Sequence, residues 1–133
     1  MTRKLLPYVV LALVATWPGL VQAAEGQLFR LERMVVAAAV EEREPVGVAD
    51  LFAGELEKVY AFIEARQISR DTQVTFVWSR NGQEVARVIL GLRQGPRWRT
   101  FSSILLDHRT GDWRVELLDE AGQPLQALDF QVR

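Results

Sequence analysis

The sequence predicts an all-β fold, an antiparallel immunoglobulin-like β-sandwich of about seven strands preceded by a signal-peptide helix. Three observations lead there. Short runs alternate apolar and polar residues, most clearly TQVTFVWSR (Thr72 to Arg80) and WRVELL (Trp113 to Leu118). Turn signals separate such runs roughly every 8 to 15 residues. Trp78, Trp98 and Trp113 fall in the central strands and suit a core between two sheets. The chain has no cysteine, which excludes the disulfide-bearing antibody core but not the architecture.

The N-terminus comes first in the chain and reads differently from the rest. Arg3 and Lys4 follow Met1-Thr2 as a basic start, Leu5 to about Thr16 is apolar, and Trp17-Pro18-Gly19 breaks a helix. Val21-Gln22-Ala23 places small or aliphatic residues at the two positions a signal peptidase reads, with the cut after Ala23. A membrane span wants about 20 apolar residues, and Pro18-Gly19 interrupts this one too early. The expected organisation is a secretory signal peptide over residues 1–23 and a single β-sandwich domain over residues 24–133, periplasmic or secreted. Membrane contact is expected only through the signal segment, if it stays uncleaved.

Phe29 to Val40 is the first predicted strand, although Arg33 and Met34 spoil its alternation. Glu41 to Pro45 is a charged connector where Pro45 should make pairing falter. Ala49 to Glu57 reads as a loop or one helical turn, with Asp50 as N-cap. Lys58 to Glu64 (KVYAFIE) has strand chemistry. In Thr72 to Arg80, Val74, Phe76 and Trp78 share one face. Asn81-Gly82 is a type I′ hairpin signal, because both central residues of that turn need positive φ. Glu84 to Leu92 returns beside it. Trp98 to Leu106 follows Gly95-Pro96. Trp113, Val115 and Leu117 share a face of the next strand, and Leu128, Phe130 and Val132 close the chain as a last one.

Charge narrows the function. The formal total is −1; losing Arg3 and Lys4 with the signal leaves 14 basic against 17 acidic residues, a net −3. Nothing in that total points to nucleic acid. Thirteen of the 14 are arginine, the residue of planar, bidentate pairing. Lack of cysteine removes thiol nucleophiles and thiolate metal sites.

The sharpest chemical candidate is Ser102-Ser103. Adjacent strand residues point to opposite faces, so at most one serves a substrate. The single histidine, His108, lies about 16 Å from Ser103 along an extended strand, and no G-x-S-x-G elbow is present. We therefore expect no catalytic residues and no enzyme, no cofactor, and no metal site. Asp107, His108 and Asp112 read as turn residues before they read as a weak calcium site, and Glu41, Glu42 and Glu44 as loop acids paired with arginines. Arg97, Trp98, Arg99 and Arg114 are the candidate binding residues: the guanidiniums suit carboxylate or phosphate, and Trp98 is the tryptophan expected to be partly exposed. The competing reading pairs the arginines across strands with Glu116 or Glu120. It fits a register that sets Leu106 opposite Trp113, so that Ser102, Ile104 and Leu106 face inward while Phe101, Leu105 and Leu118 face outward. Slipped by one, Phe101, Ser103 and Leu105 face inward instead, and only the complementary charge of the outward pairs favours the first.

One combination of residues is more specific. Arg43-Glu44-Pro45, Trp78 ahead of Asn81-Gly82, Arg97-Trp98-Arg99-Thr100 running into Ser102-Ser103, the Gly111-x-Trp113-x-Val115 run, Gly122 and a closing Phe130-x-Val132 together resemble a bacterial family, domain of unknown function 2914. The resemblance spans roughly residues 30 to 133. It implies an exported or membrane-associated, all-β domain and carries no activity, cofactor or catalytic residue. The expected function is a non-enzymatic interaction module of the bacterial cell envelope, binding a protein, peptide or glycan. The alternative is a small-ligand or anion-binding protein built on the arginine-edged strand.

Overall fold

In the described part of the chain, residues 27–133 of a computed structural model, nine strands form two packed sheets. They are β1 (Arg30–Glu41), β2 (Glu44–Val48), β3 (Leu51–Phe52), β4 (Lys58–Ile68), β5 (Thr72–Arg80), β6 (Gln83–Leu92), β7 (Gly95–Leu105), β8 (Gly111–Leu118) and β9 (Pro124–Val132). The four-stranded sheet has the order β2-β1-β4-β7 and the five-stranded sheet β3-β9-β8-β5-β6. Every pairing is antiparallel except the short β3–β9 contact. This is the all-β, immunoglobulin-like sandwich that the sequence predicts. The expected signal peptide lies outside the described residues.

The core fills the space between the sheets through period-2 alternation. Val74, Phe76 and Trp78 of β5 and Trp113, Val115 and Leu117 of β8 enter it from one side, Val59, Ala61, Ile63 and Ala65 of β4 from the other. Phe130 stacks on Trp113 at 6.1 Å and meets Phe52 and Trp78 edge-on. No buried side-chain polar atom among the described residues lacks a partner. The spoiled alternation at Arg33-Met34 is a β-bulge: the β1–β4 register shifts between Leu31 and Arg33. The extra residue moves Met34 and Val36 onto the core face.

The Asn81-Gly82 turn forms as predicted, with φ of 49° and 82° and Arg80 paired to Gln83. Asn81 also ties this turn to β8, its Oδ1 accepting from the Asp112 N–H at 3.0 Å. A Cβ on Gly111 would stand 2.7 Å from that oxygen, at a φ of 124°, so glycine is required there.

Three expectations are corrected. Glu41 to Pro45 is a tight hairpin rather than a break: Glu42 and Arg43 turn at φ of 49° and 63°, Glu41 pairs with Glu44, and Val40 pairs with Pro45. Pro45 is tolerated because β2 is an edge strand. Ala49 to Glu57 holds strand β3 and no helical turn; there is no helix among the described residues. The largest correction concerns register. β7 and β8 lie in different sheets, so Leu106 does not pair with Trp113; β7 pairs with β4, and β8 with β5 and β9. The inward set Ser102, Ile104 and Leu106 is nevertheless buried, and Phe101 and Leu105 are exposed. Both faces of this strand are partly apolar, so the pattern alone left its parity open. The inward set chosen for complementary outward charge is the buried one, while the partner strand that charge pointed to is not the neighbour of β7.

Candidate functional site

Ser102, on the core side of β7, accepts a 3.0 Å hydrogen bond from Trp78 Nε1 and is 4% exposed. It is out of a substrate's reach. Ser103 pairs with Tyr60 on the opposite face. Asp107 and His108 make a left-handed turn, φ 50° and 56°. Arg109 braces it, donating to the carbonyls of Leu105 and Leu106 and lying over Trp113, whose Nε1 donates to the Arg109 carbonyl at 2.9 Å. The Asp112 carboxylate accepts from Gln131.

The four candidate binding residues do not share one site. Arg97 and Arg99 lie on the outer face of the four-stranded sheet, and Trp98 between them has inward parity and packs half-buried against the core. Arg114 lies on the outer face of the other sheet, where it donates to Asp129 at 3.0 Å. The expected partners Glu116 and Glu120 are not those of Arg97 or Arg99. Glu116 stands opposite Val77 and Ala127; Glu120 accepts from Arg70 and from Thr72 Oγ1.

What the outer face of the four-stranded sheet holds instead is two rows of residues in register across β1, β4 and β7. Arg30, Arg66 and Arg97 form one row; Arg33, Glu64 and Arg99 form the next. Arginines directly opposite one another repel. Glu64, only 6% exposed, sits in the middle and accepts from Arg66 at 2.8 Å, with Arg97 at 3.6 Å. Arg30 pairs with Glu32 at 2.9 Å.

The second acid of the grid comes from far along the chain. Glu44 accepts from Arg33 at 3.1 Å and from Arg99. In the β1–β2 hairpin, however, Glu44 pairs with Glu41, eight residues along β1 from Arg33. Eight extended residues span about 26 Å, so the hairpin must fold back over the sheet as a strap. Phe62 records the result. It has outward parity on β4, yet it is 1% exposed and stands outside the inter-sheet core cluster. Arg33 lies over its ring at 5.0 Å. The hydrogen bond from Arg33, then the charges of Arg33 and Arg99, outweigh desolvation and hold the Glu44 carboxyl below its ordinary value.

A cleft of about 470 Å³ opens beside the strap, lined by Arg43, Arg97, Arg99 and Thr100 with Phe62, Trp98 and Phe101. No acidic residue lines it. Five arginines thus share Glu32, Glu44 and Glu64, while Arg43 at the strap's tip has no carboxylate within 4.0 Å among the described residues. Glu41 and Glu42 ride on the same tip, exposed. Beyond the arginines, the face turns apolar. Val46, Val48, Phe101 and Leu105, four of the six large exposed hydrophobics among the described residues, share it. Sequence reasoning missed Arg30, Arg33, Arg43, Glu64 and Arg66. The one usable signal was Glu64 ending an apolar strand run, where a charge needs a partner.

The DUF2914 family model, described as protein of unknown function, matches residues 71–132, a narrower span than the resemblance read from the sequence. No curated protein matches. Among solved structures, a beta-D-glucoside glucohydrolase from Trichoderma reesei is similar at 12% identity and a TM-score of 0.50, covering 79% of this chain and 19% of that one. A beta-glucosidase from Listeria innocua in complex with glucose gives 7% and 0.48, covering 78% of this chain and 15% of that one. The chain thus spans under a fifth of either enzyme, and the likeness to the Trichoderma reesei structure extends to the fold alone.

Proposed function

We propose that this chain, whose residues 71–132 belong to the family described as protein of unknown function (DUF2914), is a non-enzymatic interaction module exported to the bacterial cell envelope. It binds a protein, peptide or glycan partner through the outer face of its four-stranded sheet. The observation that carries this reading is the juxtaposition on one face of six arginines with exposed Val46, Val48, Phe101 and Leu105. Apolar patches rimmed by polar groups are where protein partners dock, and arginine is enriched at such interfaces. Export rests on the basic-apolar-small pattern of residues 1–23. The placement of Ser102 in the core and of His108 in a separate turn favours binding over hydrolysis.

A second reading, a small-anion binder, is favoured by the acid-free lining of the cleft at Arg43, Arg97 and Arg99. One experiment separates the two. The tagged full chain is cross-linked and recovered from its native envelope, beside an Arg97→Ala/Arg99→Ala variant and an Arg114→Ala variant. A specific partner lost with the double variant and kept with Arg114→Ala supports the module. Undiminished capture by the double variant would overturn this face as the site. A thermal-shift series with phosphate and citrate tests the second reading, since a ligand at 100 times its Kd adds about 2.7 kcal/mol.

A further inference from the structure

We infer that Glu44 is a built-in placeholder for the partner: the face takes an acidic, extended protein segment whose carboxylate replaces Glu44 between Arg33 and Arg99. This rests on the partner-binding reading above and names the partner's chemistry. Glu44 itself supplies the first ground. It sits on an extended strand, β2, and reaches both arginines from outside the β1–β4–β7 rows. The site therefore already accommodates a protein carboxylate borne on extended backbone.

Charge supplies the second ground. Five arginines share three glutamates, an excess of two positive charges in the rows. Arg43 adds a third cation at the cleft, with Glu41 and Glu42 on the same tip but outside the cleft lining. Rows of like charge in register weaken a sheet, so this grid is poor design for stability alone. A segment bearing a second carboxylate would meet Arg43 and Arg97 in the acid-free cleft. Arginine is the residue whose fork fits a carboxylate bidentately, and lysine occurs once after residue 4, at Lys58.

The third ground is apolar. Phe101, 43% exposed, lines the cleft, and Leu105, 53% exposed, lies four residues further along the same outer face of β7. They offer apolar side chains of the same segment a seat that a free anion would leave empty. Displacing Glu44 also releases the strap, so affinity for the segment and closure of the strap oppose each other.

The test measures fluorescence anisotropy of a labelled ten-residue peptide alternating glutamate with leucine or phenylalanine. It is titrated with the full chain and with Glu44→Gln, Arg33→Ala and Arg43→Ala variants at fixed salt. A glutamine-for-glutamate peptide, inorganic phosphate and phosphatidylglycerol vesicles serve as competitors. The glutamate peptide should bind roughly fivefold or more tightly to Glu44→Gln, which lacks the internal competitor. It should weaken about tenfold with Arg33→Ala or Arg43→Ala, and the glutamine peptide should not compete. Equal affinity in wild type and Glu44→Gln, equal binding of the glutamine peptide, or displacement by phosphate or vesicles at lower concentration than by free peptide would each overturn the inference. If any of these occurs while Arg97→Ala/Arg99→Ala still abolishes envelope capture, the placeholder falls and the module stands. If capture survives that double variant, both fall.

Discussion

The two outer faces of this sandwich settle their charges in opposite ways. On the five-stranded sheet the exposed charges are settled locally: Arg87 pairs with Glu84 at 2.8 Å, Arg114 with Asp129 at 3.0 Å, and Asp112 and Glu116 add further acid. On the four-stranded sheet arginines outnumber their acids, one of those acids is buried, and another is brought in by a hairpin from far along β1. The formal total of −1 hides this difference. Net charge describes a molecule's solubility; a binding face is described by how its charges are distributed.

The contrast breaks most visibly at its covered residue. Phe62→Ala should cost about 3–5 kcal/mol in unfolding by urea or heat, as a fully buried aromatic does. Val77→Ala, at an outward, half-buried position on β5, should cost about 1 kcal/mol. Comparable small costs would mean that the strap does not cover Phe62. Next comes a contrast within one strand. Ser102→Ala strands the Trp78 N–H in the core and should cost about 1–3 kcal/mol. Ser103→Ala, on the outer face, should stay within about 0.5 kcal/mol.

Acid offers a finer cut. Glu44 and Glu84 both have carboxyls held below the ordinary 4.5, by hydrogen bonds from Arg33 and Arg87 respectively. A carboxyl depressed in the folded state contributes stability above its unfolded value, and that contribution disappears as pH falls through the lower folded value. Below pH 4.5 the β1–β2 strap should therefore loosen. The protection of β2 amides from hydrogen exchange, taken relative to the intrinsic exchange rate at each pH, should fall on acidification, and Glu44→Gln should abolish that response while Glu84→Gln leaves it intact. The smallest effect belongs to Arg114→Ala: stability within about 0.5 kcal/mol of wild type, by the same unfolding measurement. A larger loss would mean that the five-stranded face is more than a solvated surface.

Local chemistry was legible in the sequence. Val74, Phe76 and Trp78 declare their shared face by alternation, and Asn81-Gly82 declares its turn because positive φ selects such residues. The mismatch at Arg33-Met34 was a true signal of the bulge, though alternation alone does not say which way a bulge resolves. The Glu42-Arg43 turn was hidden, since neither residue advertises left-handed backbone. The partners of Arg97 and Arg99 were hidden more deeply. Complementary charge on the next strand in sequence pointed to Glu116 and Glu120, but β7 finds its neighbour in β4, and Glu44 arrives through the strap. Long-range pairing is set by the packing of whole sheets, which no window of residues contains.

The hydrogen bond from Trp78 to Ser102 joins β5 in one sheet to β7 in the other. Disulfide-bearing sandwiches of this architecture join their sheets at a covalent bridge packed on a tryptophan. Here the tryptophan itself makes the link, through its indole N–H and a serine hydroxyl. With no cysteine in the chain, the join needs no oxidant to form and yields to no reductant. The closing of this core is therefore indifferent to whether its surroundings are reducing or oxidising.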